Sequence, residues 1–241
     1  MEEFNLFAGS KAILFDYDNT LVNSKPVFRK AIQAVSSDIY NFLKDNAQTL
    51  VSPELLEQKL LYISEKLDSE GVYDRNAWWV EVLKEIGINE VEKDQLFEWT
   101  SLYWSIAGET LPFEDAMDIL TYLKQKGYKL GLVTNSDGEG GDKKSRISKF
   151  PYIDKFDIII IGGENNVKPK PSIQPFILAC EELKAKGNEC VMVGDDPVKD
   201  CLAAKKAGLK SILVDRERSV KYPELYADFV VSSLKELEEF L

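Results

Sequence analysis

The sequence predicts an α/β fold, a doubly wound parallel sheet into which an all-helical domain is inserted. Two observations predict the sheet. Short, nearly continuous apolar runs rich in branched residues end abruptly in polar or glycine residues, as strands buried on both faces do. Helical patterns alternate with these runs, some of them stopping at a glycine, and that alternation implies right-handed crossovers between parallel strands. A third observation predicts the insert: from about 22 to 108 helical periodicity recurs without a convincing strand.

The first strand is expected at 12–15. Four helical series then fill the insert: Phe28, Ile32, Val35, Ile39 and Phe42; Leu55, Leu56, Leu60, Ile63 and Leu67; 79–86; and 96–106. All four tryptophans, Trp78, Trp79, Trp99 and Trp104, fall in it, and either pack its core or line a substrate cleft. The next helix, 114–126, carries Ala116, Met117, Ile119, Leu120 and Leu123 on one face and stops at Gly127. Strands are expected at 129–133, 157–161, 190–193 and 211–214, with helices at 173–183 and 200–207. The glycine-rich stretch 137–142 reads as a loop, either a mobile flap or a tolerated surface turn. Ser233-Leu234-Lys235-Glu236 reads as a capping box. The division implied is an α/β core of 1–21 plus 109–241 and a helical domain of 22–108.

Composition narrows the function. The 241 residues are 44% hydrophobic and 11% aromatic, enough for a substantial core. No apolar run reaches membrane-spanning length, and Met1-Glu2-Glu3-Phe4 lacks the basic region and apolar run of a secretory signal. Three cysteines, Cys180, Cys190 and Cys201, lack metal-type spacing and lie in core-like segments, so a cytoplasmic, reducing setting is expected. A net charge of −11 argues against nucleic-acid or anionic-membrane partners. The chain has no histidine, which excludes Ser-His-Asp, Cys-His and His-zinc chemistry. Nothing in the sequence fixes an oligomeric state.

The chemistry gathers at the strand ends. Phe15 to Thr20, "FDYDNT", closes the first strand with Asp16 and Asp18; the second ends in Thr134 and Asn135; the fourth ends in Gly194, Asp195 and Asp196, with Asp200 beyond. In a parallel sheet these ends share one edge. Two carboxylates about 4 Å apart repel by roughly 4 kcal/mol at an effective dielectric near 20. A hard divalent cation removes that repulsion, and oxygen-only ligands select Mg2+. Taken singly, Asp16 or Asp195 could be a helix cap, Thr134 a strand-end residue, and Lys168 in Lys168-Pro169-Lys170-Pro171 a solvated loop lysine.

Together these residues resemble the haloacid dehalogenase superfamily. Asp16-Tyr17-Asp18-Asn19-Thr20 is similar to its first motif, D-x-D-x-T; Val133-Thr134-Asn135 to its second; Lys168-Pro169-Lys170-Pro171 to its third; and the stretch from Gly194 through Asp195 and Asp196 to Asp200 to its fourth. The likeness runs from about 11 to 215, and the helical insert resembles the cap of the subfamily with phosphoglycolate phosphatases and β-phosphoglucomutase. It implies a Rossmann-like α/β core with an inserted helical cap, and Mg2+-dependent hydrolysis of small-molecule phosphate esters. By that resemblance Asp16 is the nucleophile and Asp18 the acid-base residue. Asp16, the Asp18 carbonyl and Asp195 hold Mg2+. Thr134, Asn135 and Lys168 bind the phosphoryl group, and Asp196 or Asp200, with Asp200 favoured, orients the lysine or a metal-bound water. Dehalogenases of the superfamily lack an acid at the place of Asp18, so phosphoryl chemistry is implied. A phosphomutase, or a non-catalytic binding protein on the same fold, stands as the alternative.

Overall fold

The computed structural model of the chain describes residues 7–46 and 51–240. Met1 to Phe4, read above for a secretory signal, lie outside the described residues. The chain divides into two compact units. One comprises residues up to Asn23, Leu111–Asn135 and Ile147–Leu241; the other comprises Ser24–Thr110 and Ser136–Arg146. The helical unit therefore takes in 136–146, a stretch the sequence division leaves in the α/β core.

In the α/β unit, six strands form one parallel sheet: β1 (Ala12–Phe15), β2 (Lys129–Asn135), β3 (Ile158–Gly162), β4 (Cys190–Gly194), β5 (Lys210–Val214) and β6 (Phe229–Val231). Their order is β3-β2-β1-β4-β5-β6, so the direction of winding reverses at β1, between β2 and β4. Ligands of doubly wound sheets sit outside the carboxyl ends at this switch point.

The continuous apolarity of the strands has a two-sided cause. Ile13, Phe15, Leu130, Leu132, Val191 and Val193 pack with helix α5 (Glu114–Gln125) and the C-terminal segment. Ala12, Leu14, Val133, Cys190 and Met192 face the opposite layer, with α7 (Gln174–Glu182) and the short α8 (Ala203–Lys206). Alternate residues thus serve opposite layers, as the pleat requires. Gly131 has no side chain because a Cβ there would stand 2.6 Å from Leu14. β6 escapes sequence reading because it is three residues long and only Val231 is buried. At the C-terminus the partner of Glu236 is Ser232, whose N–H and hydroxyl both donate to it, so the capping pair lies one residue earlier than the sequence suggests.

The helical unit contains α1 (Lys25–Asp45), α2 (Pro53–Ser69), α3 (Arg75–Glu85) and α4 (Lys93–Ala107). Ser52 caps α2 by accepting from the Leu55 N–H, and Asp74 caps α3 by accepting from the Asn76 N–H. Trp78, Trp79 and Trp99 are buried in its core and Trp104 packs against it, which is the simpler of the two readings of the tryptophans. Trp79 Nε1 donates to Thr100 Oγ1, whose hydroxyl donates in turn to Asn76 Oδ1, a buried relay of three side chains.

The glycine-rich loop is fitted into the helical unit. Gly138, at φ +78°, lies against the Tyr73 carbonyl, and Gly141 fits between Asp137 and the Trp104 ring. Asp137 Oδ1 then accepts from Arg146 at 2.8 Å and Lys143 at 2.9 Å. α6 (Lys143–Ser148) begins within this cluster.

Candidate active site

β1 ends at Phe15, and Asp16 follows, 7% exposed. The chain turns at once: the N–H groups of Leu21 and Val22 both donate to the Tyr17 carbonyl, and Asn19 takes a left-handed conformation with φ 59°. This tight turn presents Asp18 and Thr20 beside the strand end.

On the neighbouring strand, Asp195 and Asp196 follow β4. Asp196 is the cap of the next helical segment, accepting from the N–H groups of Val198 and Lys199 at 2.8 and 2.7 Å. Pro197–Leu202 forms a π-helical turn, a wide winding that recurs at functional sites. Asp200 folds back from it over Gly194, where any Cβ would collide with the Asp200 carboxylate. The Asp196 N–H donates to Asp200 Oδ2 at 3.1 Å.

The lysine of the cluster is Lys170, and this corrects the assignment of Lys168. Lys168 is exposed, and its backbone N–H donates to Gln174 Oε1. Lys170 is 3% exposed; its Nζ lies 2.6 Å from Asp16 Oδ1, 2.6 Å from Asp200 Oδ1 and 2.9 Å from the Val133 carbonyl. Both lysines precede a proline, so the sequence signal is equal for each. What separates them is reach: Lys170 is where the loop after β3 comes back over the sheet edge. Asn135, expected to bind the phosphoryl group, clasps this loop. Its Oδ1 accepts from the Lys170 N–H and its Nδ2 donates to the Lys170 carbonyl. Gly162 makes room, since a Cβ there would meet Asn135 Oδ1 and Pro169 at 2.8 Å. Thr134 is buried at the end of β2, in register with Ile161.

Asp16, Asp195 and Asp200 bring carboxylate oxygens within 4.8 Å of one another. One ammonium against three carboxylates leaves two negative charges in excess when all are ionised. The electrostatics register that excess. Burial works against the charge on Lys170, but Asp16 and Asp200 outweigh it and hold the lysine above its ordinary value. Burial, then repulsion from Asp16 and Asp200, raises Asp195 well above the usual carboxylate range. Asp200 is pushed up to about 7 by burial and by Asp16, against the pull of Lys170. An all-oxygen donor set with two surplus negative charges fits a hard divalent cation. Both oxygens of Asp200 are engaged, one by Lys170 and one by the Asp196 N–H.

The sequence profile of haloacid dehalogenase-like hydrolases matches residues 10–208. Among curated proteins, the chain is 30% identical to a putative pyrophosphatase PpaX of Clostridium perfringens over 207 residues, covering 83% of this chain and 82% of that one. It is 28% identical to the N-acylneuraminate-9-phosphatase of Rattus norvegicus over 239 residues, with 96% and 93% covered. Among solved structures, a HAD phosphatase from Thermococcus onnurineus superposes with a TM-score of 0.67 at 25% identity, covering 95% of this chain and 96% of that one.

Proposed function

Since the chain belongs to the haloacid dehalogenase-like hydrolases, we propose that it hydrolyses small-molecule phosphomonoesters through an aspartyl-phosphate, with Mg2+ as cofactor. A phosphatase is the enzyme class its relatives support. The observation that carries the finer reading is the buried lysine held between Asp16 and Asp200 beside Asp195, on the carboxyl edge of the sheet.

Lys170 holds Asp16 by Oδ1, which leaves Oδ2 to attack phosphorus. As that bond forms, the ester P–O bond breaks and the departing alkoxide takes a proton from Asp18. Asp18, now a carboxylate, removes a proton from water as the water attacks the phosphorus, and Asp16 leaves as a carboxylate. Two displacements replace one slow one. An ammonium has three N–H donors, and those of Lys170 are matched by Asp16, Asp200 and the Val133 carbonyl. Its part is therefore to compensate charge and fix the nucleophile, while the buried Thr134 hydroxyl takes a phosphoryl oxygen. Asp16, Asp195 and the Asp18 carbonyl would hold Mg2+, which when bound neutralises the clustered acids and the phosphoryl oxygens.

The partner in this reading is a small phosphate ester; the acidic charge disfavours nucleic acids and anionic membranes. No helix among the described residues is long and apolar enough to cross a membrane. A cytoplasmic setting belongs to the same reading, supported by three free, buried cysteines.

The test is inorganic phosphate release from a panel holding pyrophosphate, N-acylneuraminate 9-phosphate, phosphoglycolate and sugar phosphates, with Mg2+ or EDTA. Parent protein and Asp16→Asn run side by side. Mg2+-dependent release that the variant lacks is expected. Equal release by Asp16→Asn, or full release in EDTA, overturns the reading; isomerisation of a sugar phosphate without release points to a mutase.

A further inference from the structure

Arg216, just beyond the end of β5, lies in none of the four motifs. Its guanidinium grips Asp115, in the first turn of α5, through two parallel hydrogen bonds of 2.9 Å, Nη1 to Oδ2 and Nη2 to Oδ1. Nη2 also donates to the Thr20 carbonyl at 3.0 Å. The Phe113 ring supports the guanidinium from one side, 3.7 Å from its centroid. Asp115 is itself held by the Leu234 N–H at 2.8 Å. Forked, charge-assisted pairs of this kind fix orientation as well as adding energy.

The consequence runs through Thr20. Its carbonyl is tied to Arg216, and its hydroxyl faces Asp195 Oδ1 at 3.4 Å, a distance a hydrogen bond spans only weakly. A hydroxyl at that range keeps its contact only while its backbone is pinned. We propose that Arg216 is a positioning residue for the acid cluster: by anchoring Thr20 it sets the orientation of Asp195 and hence the strength of Mg2+ binding. This rests on the metal reading above. Groups behind metal ligands typically change affinity by about 10- to 100-fold when lost, and Arg216 stands one step further out. A smaller factor is expected.

The experiment is calorimetric titration of metal-free protein with Mg2+, for the parent, Arg216→Lys, Thr20→Val, their double variant, and Asp115→Asn. Lysine keeps the charge beside Asp115 but cannot fork to both partners. The dissociation constant should rise about three- to tenfold in Arg216→Lys and about ten- to a hundredfold in Thr20→Val, and in the double variant no further than in Thr20→Val, because both act through one contact. Asp115→Asn loosens Arg216 without touching Thr20 and should weaken binding in the same direction. A merely structural role would instead lower melting temperature with the Mg2+ constant unmoved, and that result overturns the inference. So do losses that multiply in the double variant. A parent that binds no Mg2+ overturns the metal reading and this inference together, whereas a parent that binds it with unchanged variants overturns this inference alone.

Discussion

Lys170 Nζ lies 2.6 Å from Asp16 Oδ1, with both side chains buried and the two positions 154 apart in sequence. Lys168, two residues earlier, is exposed. Lys170→Met should lower kcat at least about a hundredfold, as losing a preorganised charge at a reacting centre does, while Lys168→Met should leave turnover near the parent's. Steady-state kinetics on the two variants decide it, and the reverse ranking would restore Lys168 to the site.

Without a cation, the acid cluster should make stability depend on pH in a defined direction. Asp195 and Asp200 have raised values in the folded protein, so the stability they contribute is complete below the ordinary carboxylate range and is lost as pH rises through the folded value. For Asp200 that window runs from 3.8 to about 7. Mg2+ should therefore raise the melting temperature more at pH 8 than at pH 5.5, since protons compete with it for the same oxygens. Thermal melts in EDTA and in Mg2+ at both pH values measure this; a larger rise at pH 5.5 would contradict it.

Gly194→Ala adds a single methyl group where the Asp200 carboxylate already lies. Displacing Asp200 also displaces Lys170, so activity should fall together with stability, the latter by about 1–3 kcal/mol as for other overpacked sites. Denaturant unfolding and kcat on the same preparation test the link. A stable variant with normal kcat would show that Asp200 has freedom to move.

In the helical unit, Gly138→Ala combines a left-handed backbone with a clash against the Tyr73 carbonyl. A loss exceeding about 1 kcal/mol is expected, because alanine is strained at positive φ. Denaturant unfolding followed by tryptophan fluorescence would detect it. A variant as stable as the parent would return the loop to the mobile-flap reading.

Much of this arrangement is legible in the sequence because it depends on local pattern. The branched runs at 12–15 and 190–193 are strands buried on both faces, and Asp16, Asp195 and Asp200 do converge. What escapes is whatever depends on path and not on pattern. Lys168 and Lys170 carry the same Lys-Pro signal, and only the return of the loop over the sheet separates them. Asn135 has the residue type of a phosphate ligand, and its amide pairs with the Lys170 backbone, a partner no local pattern announces. Asp196 and Asp200 are told apart by the π-helical turn, which no periodicity announces. Arg216 gives no signal at all, since an arginine after a strand is ordinary until its partners, 101 and 196 residues away, are known.

The clasp around Lys170 also bears on when the protein first becomes competent. Asp16 waits 154 residues for its lysine, and the lysine a further 30 for Asp200. Contacts of such long separation form late, because loop closure must be achieved before they contribute. During synthesis Asp16 emerges early and lacks its full set of partners until β4 has been inserted beside β1. A nascent chain stalled before Asp200 would carry the Asp16 carboxylate without all the partners that hold it, so the proposed hydrolysis would begin only when the sheet is nearly whole.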